Sequence, residues 1–347
     1  MTLRITYSCA NQTDLLNLDS LMTVFNNATA APQLMKPPRI SLLDVIRGLA
    51  VIAMTIFHFS WDLENFGYAH HGMTTEFAWK LLARGTASSF LFIAGFSLFL
   101  SHGQSIRWPA FWRRFSIIAA AAAIITIATY FATPERFVFF GILHQMAFGS
   151  LIALAFLALP WPVTLIASLG FLFANQYLRN EVFDHVIFWW TGLGSFDPPA
   201  NDFVPVFPWT AAILAGVAIA KAFTNTGLIP RLAAINATAN PVGKALAWLG
   251  NHSLPYYLIH QPVLFGLIWC ATQVAPPDRT AGYLPACVQS CTPQRDAKFC
   301  ESFCGCVKTS LESKGIFLEV LDGKRDVSTD PDVVSIAEQC TVSADGG

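Results

Sequence analysis

Two histidines and two aspartates stand where acid–base or nucleophilic chemistry could use them. His58 and Asp62 are four residues apart, which puts an imidazole and a carboxylate on one helix face. A carboxylate that accepts from one ring nitrogen fixes the tautomer and leaves the other nitrogen as base or nucleophile. The bland alternative is an interfacial histidine satisfied by a neighbouring acid. His144 follows Phe139-Phe140-Gly141-Ile142-Leu143, and Asp202 opens Asp202-Phe203-Val204-Pro205-Val206-Phe207-Pro208-Trp209. Pro205 and Pro208 would break the helix there and aim Asp202 at the same place, although an ordinary helix-start aspartate fits too. Of four cations, Arg47, Arg107, Arg113 and Arg114, the first stands where it could meet an anionic cytosolic substrate. Asp44 can neutralise Arg47 at i, i+3, and the last three also fit simple charged anchors. His260 marks a polar path, whereas His70, His71, His102 and His185 are expected in solvated loops.

Helices long enough to cross a membrane must carry these groups. The chain is 54% hydrophobic and only 12% charged, with a mean hydropathy of +0.48, a makeup foreign to a soluble globule. Net charge of −1 excludes nucleic acid as a partner and leaves the lipid bilayer. Apolar runs near 43–63, 86–101, 114–132, 138–159, 162–178, 205–222 and 253–274 predict an all-α polytopic membrane protein with about seven spans, six to eight being the range. Val186 to Gly194 reads as a re-entrant or interfacial piece. Residues 1–38 read as a disordered cytosolic leader, 39–275 as the transmembrane domain and 276–347 as a cysteine-rich tail.

Basic residues flank the short loops of one side: Lys36 and Arg39, then Arg107, Arg113 and Arg114, then Lys221, Arg231 and Lys244. That side is expected to be cytosolic, with the C-terminus outside. At 1.5 Å per residue His58 and His144 then reach similar depth in the outer half and could line one cavity, while His260 lies roughly 10 Å in from the cytosolic face. Six cysteines, Cys287, Cys291, Cys300, Cys304, Cys306 and Cys340, follow the last run. Their i, i+4 pairs allow two antiparallel helices to be stapled by nested bridges in an oxidising compartment. Zinc held by Cys300, Cys304 and Cys306 is the competing expectation. Cys9 and Cys270 are expected as free thiols.

No phosphate-binding loop, dinucleotide fingerprint, zinc-protease helix or serine elbow occurs, so the residues suit a membrane enzyme or a proton-coupled transporter almost equally. Five stretches in order resemble the catalytic-domain family of heparan-alpha-glucosaminide N-acetyltransferase. They are Ser41 to Gly48 leading to His58 and Asp62, Phe90 to Ser97, Gly141 to His144, Asp202 to Trp209, and Ser253 to Pro262. The resemblance spans roughly 39–274 and omits the leader and the tail.

The resemblance implies transfer of an acetyl group from cytosolic acetyl-CoA to an extracytoplasmic acceptor, commonly an amino sugar or glycan, in a bacterial inner membrane, with no metal and with oligomers allowed. His58 oriented by Asp62 would act as nucleophile, His144 as second base, and Asp202 would hold the acceptor. Arg47, Arg107, Arg113 and Arg114 would meet the CoA phosphates. The lysosomal family member is proposed to carry acetyl on a loop histidine, and the nearest positions here, His70 and His71, lack the surrounding match. Rival expectations are a proton-coupled transporter or flippase using the same His and Asp groups, and a non-catalytic anchor for the tail.

Overall fold

A computed structural model describes residues 40–345 except 71, 278, 279 and 281. The expected leader, with Lys36, Arg39 and Cys9, lies outside the described residues, as does His71. Each apolar run is a helix: α1 Ser41–Asn65, α2 Phe77–His102, α3 Trp108–Ala132, α4 Ile142–Phe156, α5 Trp161–Leu178, α6 Val206–Asn225 and, after the short α7 Leu228–Ala234 and α8 Pro241–Asn251, α9 Ser253–Val274. The tail adds α10 Tyr283–Cys291, α11 Ala297–Ser313, α12 Phe317–Leu321 and α13 Pro331–Asp345, and no strand occurs among the described residues. Five helices, α1, α2, α3, α6 and α9, are long and apolar enough to cross a membrane. α4 is apolar with 15 residues, and α5 has 18. The interfacial piece is a 3-10 helix over Val186–Thr191.

The core lies between α2, α4, α5 and α6, where Leu91, Ile213, Leu214 and Val217 are fully buried. Outward faces stay apolar, with Phe131 80% and Ile166 69% exposed, as lipid contact requires. Lys221 does not sit in a basic loop as expected. It is buried in α6, and its Nζ donates to the carbonyls of Phe156, at the C-terminus of α4, and of Leu159. The cation thus satisfies helix-end acceptors that the membrane cannot hydrate.

α8 sets the register of the last span. It packs along the first turns of α1 so closely that a Cβ on Gly250 would lie 2.0 Å from the Asp44 carbonyl oxygen. α9 therefore starts part-way up α1. The Thr55 hydroxyl meets the Tyr256 hydroxyl at 2.8 Å, and Phe66 meets Phe265 with ring centroids 4.7 Å apart. His260 consequently lies beside His58, roughly 25 Å along α1 from Ser41 at 1.5 Å per residue, and not roughly 10 Å in as expected.

Beyond α9, where Tyr68 Oη donates to the Ala275 carbonyl at 2.6 Å, the tail lies at the end of the bundle away from the arginines. Cys287–Cys304 and Cys291–Cys300 are nested bridges between α10 and α11, and Cys306–Cys340 ties α11 to α13. Cys300, Cys304 and Cys306 each belong to a different bridge, so the zinc expectation is corrected: no thiolate is left to ligate it. Cys270 is free and exposed.

Candidate functional site

A cavity of about 540 Å³ runs between α1, α2, α3, α4 and α9. Arg47, from the second turn of α1, and Arg113 and Arg114, from the second turn of α3, line its basic end. Apolar side chains such as Phe90, Ile118 and Met146 form the waist, and Ile142, Leu143 and Tyr257 line the far end. Asp44 pairs with Arg47 at 3.3 Å, as its spacing suggested. Among the described residues Arg113 and Arg114 have no acidic partner, so the basic end carries surplus positive charge.

Arg107 stands apart from these three. Its Nε donates to the Ser101 carbonyl at 3.1 Å and its backbone N–H to His102 Nδ1 at 3.2 Å, which ties the turn between α2 and α3. His102, expected in solvent, is buried there.

At the far end Asp202 reaches across from the segment before α6. Its Oδ2 accepts from the Ile142 backbone N–H at 2.9 Å, in the first turn of α4, and from the Tyr257 hydroxyl at 3.3 Å. Gly141 makes room, since a Cβ there would fall 2.3 Å from that oxygen. His144 sits one turn inside the same helix. Its Nδ1 accepts from the Gly141 N–H at 3.2 Å, and its Nε2 lies 3.1 Å from the Thr126 hydroxyl, which itself donates to the Val138 carbonyl at 2.7 Å. Thr126 must then accept from Nε2–H, so both ring nitrogens of His144 are committed to holding the α4 N-terminus.

A second polar cluster fills the seam between α1 and α9. His58 meets His260 edge-on at a centroid distance of 5.0 Å. His260 Nδ1 lies 2.8 Å from the Tyr257 carbonyl, which can only accept, so Nδ1 carries the proton and Nε2 a lone pair. Asp62 is fully buried, and its Oδ1 accepts from Gln261 Nε2 at 2.8 Å. The hydrogen bond drawn from spacing, Asp62 to His58, is not the one made: Gln261 holds the carboxylate. Asp62 Oδ2, Gln261 Oε1 and His260 Nε2 are buried and unpartnered among the described residues. All three are acceptors. A buried acceptor left unmet costs about 1–3 kcal/mol, so these three are the positions in the seam that could accept N–H or O–H donors.

Neither His58 nor His144 lines the cavity itself. The seam and the far end of the cavity are linked through α9, because the Tyr257 ring centroid lies 5.6 Å from that of His260 while its hydroxyl bonds Asp202. The polar chain therefore runs His58, His260, Tyr257, Asp202, Ile142. Tyr257 and Gln261 were missed from sequence, although Tyr256-Tyr257-Leu-Ile-His260-Gln261 puts four polar groups into an apolar run at helical spacing. At the end of α1, Glu64 clamps the next loop by accepting from the Gly72 and Thr74 N–H groups at 2.6 and 2.8 Å. His70 pairs with Glu76 at 2.8 Å on that loop, outside both clusters.

The sequence pattern of the family described as "Heparan-alpha-glucosaminide N-acetyltransferase, catalytic" matches residues 39–262. No curated protein and no solved structure matches the chain. The matched region holds the three cavity arginines, Asp202, Tyr257 and the whole seam, and leaves the cysteine tail outside. By a match over well over half its length, this multi-pass helical chain belongs to the heparan-alpha-glucosaminide N-acetyltransferase catalytic-domain family.

Proposed function

We propose that this acetyltransferase-family domain moves an acetyl group from acetyl-CoA, bound through the basic end of the cavity, to an amino or hydroxyl group of a glycan approaching from the opposite side. The observation that carries this is the cavity itself: three guanidinium groups at one end, and at the other a tyrosine hydroxyl shared with Asp202. Guanidinium forks match phosphate oxygens, so Arg47, Arg113 and Arg114 would hold the CoA phosphates while the pantetheine arm follows the apolar waist. Arg107 faces the turn and is left out of that role.

The acceptor belongs in the seam. Its N–H and O–H donors would fill Asp62 Oδ2, Gln261 Oε1 and His260 Nε2, with His58 completing the wall. An acyl-histidine on His58 would require the thioester to pass Tyr257, whereas direct transfer requires only that the acceptor nucleophile reach the cavity's far end. Direct transfer is the simpler route. His144, with both nitrogens engaged, positions α4 in this scheme.

Orientation follows from two chemistries at opposite ends. Arginines that the charge rule would keep cytosolic and disulfides that need an oxidising compartment support an N-inside, C-outside protein, which we assign to the bacterial inner (plasma) membrane with the tail periplasmic. Membranes containing the chain are expected to transfer radiolabel from acetyl-CoA to an amino-sugar glycan. Replacing Arg113 and Arg114 by Ala should abolish CoA binding and label together. Counterflow of a solute without acetyl transfer would favour a proton-coupled transporter built on the same His and Asp groups.

A further inference from the structure

His144, the base suggested by sequence, has no free nitrogen, and the His260 lone pair lies in the seam on a residue that does not line the cavity, so the proton lost at the cavity's far end needs another destination. Tyr257 is the polar side chain common to both compartments. It lines the far end of the cavity, its ring touches His260 of the seam at 5.6 Å, and its hydroxyl proton is directed at Asp202 Oδ2 at 3.3 Å. Because that proton points at the carboxylate, the lone pairs of the phenolic oxygen are the part left to accept from a neighbour. Asp202 is held from behind by the Ile142 N–H at 2.9 Å, and the missing side chain of Gly141 leaves room for its carboxylate.

We infer that Tyr257, backed by Asp202, is the general base of the transfer. This rests on the acetyl-CoA reading above and names the catalytic residue within it. As the acceptor attacks, its bond to the acetyl carbon forms and the carbon–sulfur bond breaks, the electron pair leaving on sulfur. The acceptor's proton passes to the Tyr257 oxygen while Tyr257's own proton passes to Asp202 Oδ2. The CoA thiolate takes a proton from water as CoA leaves through the basic mouth, and Asp202 releases its proton to water once the product has left. The long 3.3 Å bond suits this role, since catalytic hydrogen bonds often tighten only when substrate is bound.

The test uses the full chain in detergent with acetyl-CoA and D-glucosamine as probes. Tyr257→Phe keeps the ring and its contact with His260 and removes only the hydroxyl. N-Acetylglucosamine formation should fall about a hundredfold or more, while CoA affinity by calorimetry stays within about twofold of wild type. Asp202→Asn should abolish the acid limb that the wild-type rate shows against pH, a change that a merely structural aspartate would not produce. A Tyr257→Phe rate within about threefold of wild type, or a loss of CoA affinity as large as the loss of rate, would overturn the assignment. Wild-type protein that binds CoA but forms no N-acetylglucosamine overturns it as well, leaving the donor site standing. Wild-type protein that neither binds CoA nor transfers acetyl brings down the functional reading and this residue with it.

Discussion

His144 and His58 look alike along the chain, each an imidazole in an apolar helix, yet their surroundings differ in what remains unspent. At the start of α4 every hydrogen-bonding position of His144 is used, on Gly141 and on Thr126. In the α1–α9 seam three acceptors on Asp62, Gln261 and His260 stay unmet beside His58. A polar group inside a membrane whose hydrogen bonds are all made within the protein holds the fold together, while one with an open acceptor position can still take a donor from outside it. Burial alone does not separate the two cases; the count of donors against acceptors does.

The largest expected break in that contrast is His58→Ala. With Tyr257 as the base, His58 serves as a wall of the acceptor seam, so acetyl transfer measured with labelled acetyl-CoA should fall about ten- to a hundredfold through weaker hold on the acceptor, with thermal stability in detergent near wild type. A rate that survives would return the seam to a packing role. Third in kind is the tail, whose groups are joined covalently. Cys287→Ser with Cys304→Ser should lower tail stability by about 2–4 kcal/mol, seen as protease cleavage beyond α9 while CoA binding is retained.

Gly141→Ala should push the Asp202 carboxylate off the α4 N-terminus, costing about 1–3 kcal/mol of stability and reducing transfer alongside. Unaltered melting and rate would mean that Asp202 does not need that oxygen position. His144→Ala should cost about 1 kcal/mol, the value of a lost helix cap, and its transfer should fall only as far as its folded fraction does. A far larger catalytic loss at His144 would erase the distinction between spent and unspent histidines.

The smallest effect belongs to acid titration of the tail. Hydrogen bonds from Lys314 to Asp332 and from Ser328 to Asp326 hold both carboxyls below the usual aspartate range. Their contribution is present above the ordinary aspartate pKa and is lost as pH falls through the lowered one. Hydrogen exchange in α13 should rise slightly on acidification, and Lys314→Ala should remove part of that dependence.

Much of the frame was legible because its causes are local. Bilayer thickness demands long apolar runs, and all seven became helices. Spacing of four put Cys287 with Cys291 and Cys300 with Cys304 on helix faces, and the nested bridges followed. Asp44 and Arg47, three apart, found each other as one helix requires. The same rule misled at His58 and Asp62: sharing a face permits a bond, but Gln261, 199 residues away, took the carboxylate.

By itself, then, the sequence determined the helices, the bridged cysteine tail and the family. Only tertiary structure decided which polar groups meet. The offset of α8 along α1 raised His260 to the level of His58, and the bend before α6 brought Asp202 to Ile142 and Tyr257. Helical periodicity repeats every few residues and can be read off a chain, whereas the vertical slip of one helix against another is set by how closely their surfaces pack, as Gly250 does on Asp44, and no local pattern encodes it.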